Sequence, residues 1–188
     1  IETKPIKGTL RRGKSVTEDK KNAEKLQNSA KDRAENLMIV DLLRNDISKN
    51  CIPGTVKVPR LFALESFPNV HHLVSTIVGQ IESNRTPLGV LRDCFPGGSI
   101  TGAPKKRAME IIEELEPVKR SVYCGSIGYI SANNQVDTNI AIRTVIACES
   151  TLHCWGGGGI IADSQAESEF DESLTKINII LKTLEQTI

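Results

Sequence analysis

The sequence predicts an α+β fold from the order of its patterns. Helix-forming stretches come first. Three strand-like runs then follow one another, at about 121–131, 135–148 and 151–162. Consecutive strands joined by short turns pair antiparallel, which argues against a regular βαβ repeat. The final stretch, roughly 167–186, carries Phe170, Leu174, Ile177, Leu181 and Leu184 at 4-3-4-3 spacing, the signature of one apolar helix face.

The elements can be justified in order. Residues 17–48 are rich in helix formers, opened by the cap-like Thr17-Glu18-Asp19 and closed between Asn45 and Asn50. Ser29 with Asp32 offers an internal capping pair, which would divide this stretch into two helices. Pro53-Gly54 is a turn, Thr55 to Val58 is short and β-rich, and Val70 to Ile81 reads as a strand dense in β-branched residues. Thr86-Pro87 supplies an N-cap and first-turn proline for a short helix ending near Phe95. The loop Pro96-Gly97-Gly98-Ser99-Ile100-Thr101-Gly102-Ala103-Pro104 follows, and Pro104 starts a helix through Glu116 that Pro117 stops. Asn133-Asn134 suits a hairpin turn. Internal repeats, low-complexity segments and linkers are absent, so one domain or a large piece of one is expected.

Composition narrows the function classes. At 39% hydrophobic the 188 residues can bury a sizeable core. Lys and Arg total 24 against 23 Asp and Glu, a net charge of +1, which argues against nucleic acid or an anionic membrane as main partner. No apolar run approaches the ~20 residues needed to span a bilayer, and no signal-peptide pattern is present. The chain opens on Ile1 inside what reads as folded sequence, so a fragment of a longer protein is expected. Five cysteines, Cys51, Cys94, Cys124, Cys148 and Cys154, lack C-x-x-C spacing. Reduced thiols in a cytoplasmic protein are the expectation. His153-Cys154 lacks further ligands at metal spacing and reads as strand packing.

Several constellations carry potential chemistry. In Pro5-Ile6-Lys7-Gly8-Thr9 a lysine sits between a stiffening proline and a permissive glycine, with apolar Ile6 pointing to partial burial. Desolvation disfavours the ammonium form, so a lysine held there can act as a nucleophile; the alternative is a solvated surface group. Asp32 and Glu35 lie three apart on a helix, ahead of the apolar run Leu37-Met38-Ile39-Val40, which predicts a buried helix. Buried carboxylates need a cation or hydrogen bonds, and Arg33 or Arg44 could supply these. Glu169 and Glu172 repeat the spacing on the last helix, one turn before Lys176; the structural alternative is a Glu172–Lys176 ion pair. Two converging acidic pairs would make an oxygen-rich site suited to Mg²⁺. Gly156-Gly157-Gly158-Gly159 offers bare amides to an anion, or is a flexible turn. Arg143 is expected mid-strand, pairing with a carboxylate of the protein or a ligand, and His72 is expected in a strand.

Taken in order, the sequence resembles the chorismate-utilising enzyme family over essentially all of its length. The residues that carry the resemblance are Pro5-Ile6-Lys7-Gly8-Thr9, Asp32-Arg33-Ala34-Glu35-Asn36-Leu37-Met38-Ile39-Val40-Asp41-Leu42, His72-Leu73-Val74-Ser75, Gly98-Ser99-Ile100-Thr101-Gly102-Ala103-Pro104-Lys105, Gly128-Tyr129, Ile142-Arg143-Thr144, Gly157-Gly158-Gly159-Ile160-Ile161-Ala162-Asp163-Ser164 and Glu169-Phe170-Asp171-Glu172. Lys7 resembles the branch that aminates chorismate at C4, where other branches usually carry alanine.

The resemblance implies a two-sheet α+β domain, of which residues 1–188 would be the C-terminal portion. It implies Mg²⁺ on the substrate's ring carboxylate, held directly by Glu35 and Glu172 and through water by Asp32 and Glu169. Asp32 departs from the glutamate frequent in relatives, and its shorter arm favours the water bridge. Lys176 and the amides of Gly157, Gly158 and Gly159 would assist carboxylate binding, Arg143 and Tyr123 would hold the enolpyruvyl carboxylate, and His72 and Ser99 would line the ring pocket. Lys7 would form a covalent intermediate that ammonia, supplied by a glutamine amidotransferase, displaces. The family's general acid lies on the N-terminal side of the lysine motif, and Glu2 does not match its position. The alternatives are an anthranilate or isochorismate synthase-type enzyme, or a non-catalytic chorismate-binding paralogue.

Overall fold

Strand β4, Val70–Val78, is the hub of the first half of the molecule in this computed structural model, which describes residues 1–187. The chain divides after Met109 into two units. In the first, β4 runs Val-His-His-Leu-Val-Ser-Thr-Ile-Val, and His71 to Ile77 are buried apart from the half-buried His72. Such a strand can be covered on both faces.

Strands β1, Glu2–Thr3, and β2, Ile6–Arg11, pair antiparallel with successive stretches of β4, with Thr3 opposite Ile77 and Thr9 opposite His72. Strand β3, Lys57–Ser66, pairs with β4 from Val78 to His71. Register slips occur between Ile6 and Thr9 on β2 and twice between Lys57 and Ala63 on β3. The sequence predicts neither β2 nor most of β3. Gly8 and Pro59 break the alternating pattern, and these segments become strands only by hydrogen bonding to β4.

Helices α1, Val16–Gln27, and α2, Ala30–Ser48, follow the predicted division. Ser15 rather than Thr17 caps α1, accepting from the Glu18 amide at 3.2 Å. Ser29 caps α2, accepting from the Asp32 amide at 3.3 Å. Val40 and Ile47 of α2 form the core with Cys51 and Ile77, flanked by Leu43, Val56, Val58 and Cys94. Burying aliphatic side chains of this size contributes about 1.5–3 kcal/mol each. The expectation that α2 is buried nearly all round needs correction, because Leu37 and Met38 are 45% and 49% exposed.

Helix α3, Pro87–Cys94, is capped as predicted, Thr86 Oγ1 accepting from the Gly89 amide at 3.1 Å. A 3₁₀ turn, Gly98–Ile100, lies in the glycine loop before helix α4, Lys105–Leu115.

The second unit, from Glu110 onward, contains two antiparallel ribbons and a long helix. Strands β5, Ser126–Ile130, and β6, Val136–Ile140, form a hairpin whose turn includes Asn134 at φ +63°. Strands β7, Val145–Cys148, and β8, Thr151–Cys154, form the other, and helix α5 spans Ala166–Thr187. Here the strand expectations change. The run at 135–148 breaks around Arg143, whose φ of +51° cannot continue a ladder. The run at 151–162 ends at Cys154, and the glycines beyond it are not in a strand. The α5 stripe keeps its helical spacing, yet Phe170 and Leu174 are 64% and 44% exposed. Among the described residues no helix is long and apolar enough to cross a membrane.

Candidate functional site

Lys7 sits in the β2 bulge. Ile6 pairs with Val74 and Thr9 with His72, so Lys7 and Gly8 stand opposite the single residue Leu73 and one residue is extra. The bulge is possible because Gly8 adopts φ +84°, where a side chain is strained. A Cβ on Gly8 would also lie 2.9 Å from Cγ of Asp32. The lysine segment therefore lies directly against the first turn of α2, which carries Asp32, with Glu35 in the turn that follows. Ile6 is 50% exposed, so the neighbour expected to bury Lys7 does not; Lys7 itself is half-buried and Pro5 is buried.

Asp32 and Glu35 are both half-buried. The cations offered as structural partners are engaged elsewhere: Arg33 lies over the Phe62 ring at 4.9 Å, and Arg44 bonds Asp41 at 3.0 Å. His72, on β4 beside β2, has Nδ1 2.8 Å from Thr9 Oγ1 and its ring edge-on to Phe67 at 5.4 Å. Ser99 lies in the 3₁₀ turn, half-buried.

In the second unit the glycine run meets α5. A Cβ on Gly158 would lie 3.1 Å from Glu169 Oε2, 3.7 Å from Glu172 Oε1 and 3.8 Å from Lys176 Nζ. Only a residue without a side chain leaves that space open. Lys176 Nζ meets Glu172 Oε1 at 2.5 Å, the ion pair offered as the structural alternative, and also donates to the Gly157 carbonyl at 3.2 Å. Glu169 Oε1 accepts from Ser164 Oγ at 2.6 Å.

Tyr123 closes the other side of the glycines, its hydroxyl 2.8 Å from where a Gly157 Cβ would stand. The ring stacks with Trp155, centroids 6.3 Å apart, and Arg120 lies over it at 6.0 Å. Burial, reinforced by Cys124, pushes the Tyr123 phenol up to about 12, so it is a donor at neutral pH. Arg143 is exposed in the bend between β6 and β7 rather than mid-strand. Nearby, Ala141 exchanges backbone hydrogen bonds with Cys124 and Gly125 at 2.9 and 3.0 Å, which holds the start of that bend.

The acidic pairs thus belong one to each unit, Asp32 and Glu35 to the first and Glu169 and Glu172 to the second. Among the described residues no three His, Cys, Asp or Glu side chains cluster as a metal site. His153 lies in β8 and stacks on Trp155 at 5.9 Å. The cysteines are free, and burial raises the thiol pKa of Cys51, Cys94 and Cys124. A raised pKa leaves little thiolate for nucleophilic chemistry.

Two supports went unrecognised in the sequence. Asn36, fully buried, donates to the Leu73 carbonyl at 3.2 Å and accepts from Ser75 Oγ at 2.6 Å, while Ser75 Oγ accepts from the Phe62 amide at 3.0 Å. Asp19 accepts from Arg12 through two bonds of 2.7 Å and from the Gly13 amide at 2.8 Å, with His71 Nε2 at 3.0 Å. The signal for the first was a lone asparagine amid apolar helix positions.

Residues 1–182 match the family described as chorismate binding enzyme. The chain is 59% identical over 186 residues to aminodeoxychorismate synthase component 1 of Escherichia coli, covering 99% of this chain and 41% of that protein. It is 44% identical over 185 residues to anthranilate synthase component 1 of Aquifex aeolicus, covering 98% and 37%. The crystal structure of anthranilate synthase component I from Streptococcus pneumoniae superposes with a TM-score of 0.82 at 38% identity, covering 94% of this chain and 39% of that one. The chain therefore spans about two fifths of the length of these relatives.

Proposed function

Because the chain belongs to the chorismate-binding enzyme family, we propose that it is part of an aminodeoxychorismate synthase component 1, which joins ammonia to C4 of chorismate. The product is 4-amino-4-deoxychorismate, on the route to para-aminobenzoate and folate. The observation that carries this reading is Lys7 on the glycine bulge of β2, beside Asp32 in the first turn of α2. Identity of 59% to an aminodeoxychorismate synthase, against 44% to an anthranilate synthase, supports it. We read residues 1–188 as the C-terminal portion of a single catalytic domain acting in the cytoplasm.

In this mechanism the neutral amine of Lys7 attacks C2 of chorismate. The ring double bonds shift, and the C4 hydroxyl leaves with a proton from a general acid. Ammonia then adds at C4, the double bonds shift back, and the C2–nitrogen bond breaks to release Lys7. Two displacements replace one difficult substitution. Arg143 and the Tyr123 phenol bind the enolpyruvyl carboxylate, the phenol as a hydrogen-bond donor. Lys176 and the amides of Gly157, Gly158 and Gly159 bind the ring carboxylate, while His72 and Ser99 line the ring.

The residues present suit Mg²⁺. All four carboxylates offer hard oxygen donors, and the bare backbone of Gly158 lets the chain approach Glu169 and Glu172, with the Lys176 ammonium beside them. Glu35 and Glu172 would hold the ion directly, with Asp32 and Glu169 acting through water. When bound, Mg²⁺ supplies Lewis acidity at the ring carboxylate. The relative's name, component 1, supports a second component; we assign to it a glutamine amidotransferase that delivers ammonia.

The test is mass spectrometry of the full-length protein quenched during turnover of chorismate and ammonia. An adduct on Lys7, with 4-amino-4-deoxychorismate as product, is expected. Lys7→Ala should lose the adduct and this product while still binding chorismate. Undiminished product from Lys7→Ala would refute the nucleophile, and direct release of an aminobenzoate would favour an anthranilate synthase.

A further inference from the structure

A buried ion pair far from the carboxylates clasps the glycine loop onto α2. Asp46 is 1% exposed, near the end of that helix. Lys105 Nζ bonds its Oδ2 at 2.7 Å, and the more exposed Lys49 reaches its Oδ1 at 3.2 Å. The same Lys105 ammonium donates to the Cys94 carbonyl at 3.2 Å. Cys94 is the last residue of α3 and Lys105 the first of α4. One ammonium therefore ties both ends of the loop between them to one carboxylate.

The middle of the loop is seated on the same helix face. Gly98 is buried, and a Cβ there would overlap the Leu42 side chain. Thr101 Oγ1 donates back to the Gly97 carbonyl at 3.0 Å, closing the loop on itself. At 100° per residue Glu35, Leu42 and Asp46 fall within about 40° of one another, with about 16 Å between the first and last along the axis. The stripe that carries Glu35 at one end thus seats the Ser99 turn in its middle and anchors the loop at the other.

We propose that Asp46 and Lys105 are positioning residues that fix the Ser99 turn at a set height on α2 relative to Glu35. Neither touches substrate in this scheme. A lysine bonded to solvent could not do this, because the loop would be free to lift from Leu42. Burial of the Asp46 carboxylate makes loss of the clasp costly: with the Lys105 ammonium gone, that charge is offset by the more exposed Lys49. The effect on substrate rests on the chorismate reading; the clasp itself does not.

The experiment uses the full-length protein with Lys105→Gln, Asp46→Asn, and the double variant, which leaves no buried charge unpaired. Hydrogen exchange at the amides of Gly98 to Thr101 should rise tenfold or more in Lys105→Gln and in the double variant, while amides of β4 keep their protection. With chorismate as substrate, the double variant should show a KM for chorismate raised about tenfold, with the KM for ammonia unmoved. A merely structural role would lower the folded, active fraction and hence kcat, leaving KM alone. Parental loop exchange in a folded double variant would overturn the clasp. Raised exchange with an unchanged KM for chorismate would overturn its positioning role. A parent protein that does not turn over chorismate would defeat the functional reading instead, and the exchange result would still decide the clasp. If the single variants fail to fold, the double variant carries the same comparisons.

Discussion

Gly8 and Asp32 touch across the boundary between β2 and α2, so closely that a Cβ on the glycine would come within 2.9 Å of the aspartate's Cβ and Cγ. This contact links the lysine strand to the acidic helix. It also makes the glycine irreplaceable on two separate grounds, its φ of +84° and the absence of space.

Gly8→Ala is therefore expected to destabilise the protein by about 1–3 kcal/mol from backbone strain alone. Urea unfolding measures this. Formation of the Lys7 adduct should fall further than the loss of folded protein explains, because the bulge that aims the lysine must flatten. An alanine variant with parental stability and adduct yield would show that the bulge is not required.

Ser75→Ala tests the buried bridge between α2, β4 and β3. It removes the donor to Asn36 Oδ1 and the acceptor for the Phe62 amide. Each group orphaned in the interior costs about 1–3 kcal/mol. With two groups orphaned, a destabilisation of about 2–6 kcal/mol is expected in chemical denaturation, and Ser75→Thr should recover part of it only if the added methyl fits.

Asp19 should dominate the acid limb of stability. Hydrogen bonds from Arg12, then from the Gly13 amide and His71, hold its carboxyl far below the ordinary carboxylate range. Above the unfolded value, about 4, Asp19 is ionised in both states and its contribution is complete. As pH falls below about 4, the unfolded chain takes up a proton that the folded state refuses, and stability drops. Asp19→Asn should be less stable at neutral pH and show a shallower decline in acid. Denaturation midpoints measured across the range check this, and parallel curves for the two proteins would contradict it.

Tyr123 should remain a neutral phenol at every physiological pH. The chain has two tyrosines, and ultraviolet titration should reveal one ionising only near about 12, the value to which burial and Cys124 push Tyr123. Tyr123→Phe should remove that step. In the full-length protein the same variant should weaken chorismate binding by about tenfold, matching one lost hydrogen bond to a charged group at roughly 1.5 kcal/mol.

Glu35→Gln and Glu172→Gln should each abolish turnover and lower Mg²⁺ affinity in the presence of chorismate, with folding retained. Calorimetric titration of the full-length protein reads the affinity directly. Near-normal turnover at low Mg²⁺ in either variant would remove that residue from the metal set.

Much of the fold was legible because its signals are local. A serine three residues before the Asp32 amide caps α2, Thr86 with Pro87 starts α3, and Asn133-Asn134 turns the β5–β6 hairpin. Each depends on hydrogen bonds or backbone angles within a few residues. The i, i+3 carboxylates and the glycine run were legible for the same reason, since helical spacing alone sets which side chains share a face.

The lysine pentapeptide, the paired carboxylates and the glycine run were thus determined by residue type and spacing in the sequence by itself. Tertiary structure decided where they stand. Segment 6–11 is a strand only because β4 lies beside it, and Arg143 leaves the strand where Ala141 bonds back to the turn at Cys124 and Gly125. Lys105 closes its loop on a carboxylate 59 residues earlier in the chain. Such contacts are invisible to local pattern because their stabilisation comes from burial and pairing between segments that meet only when the whole unit folds.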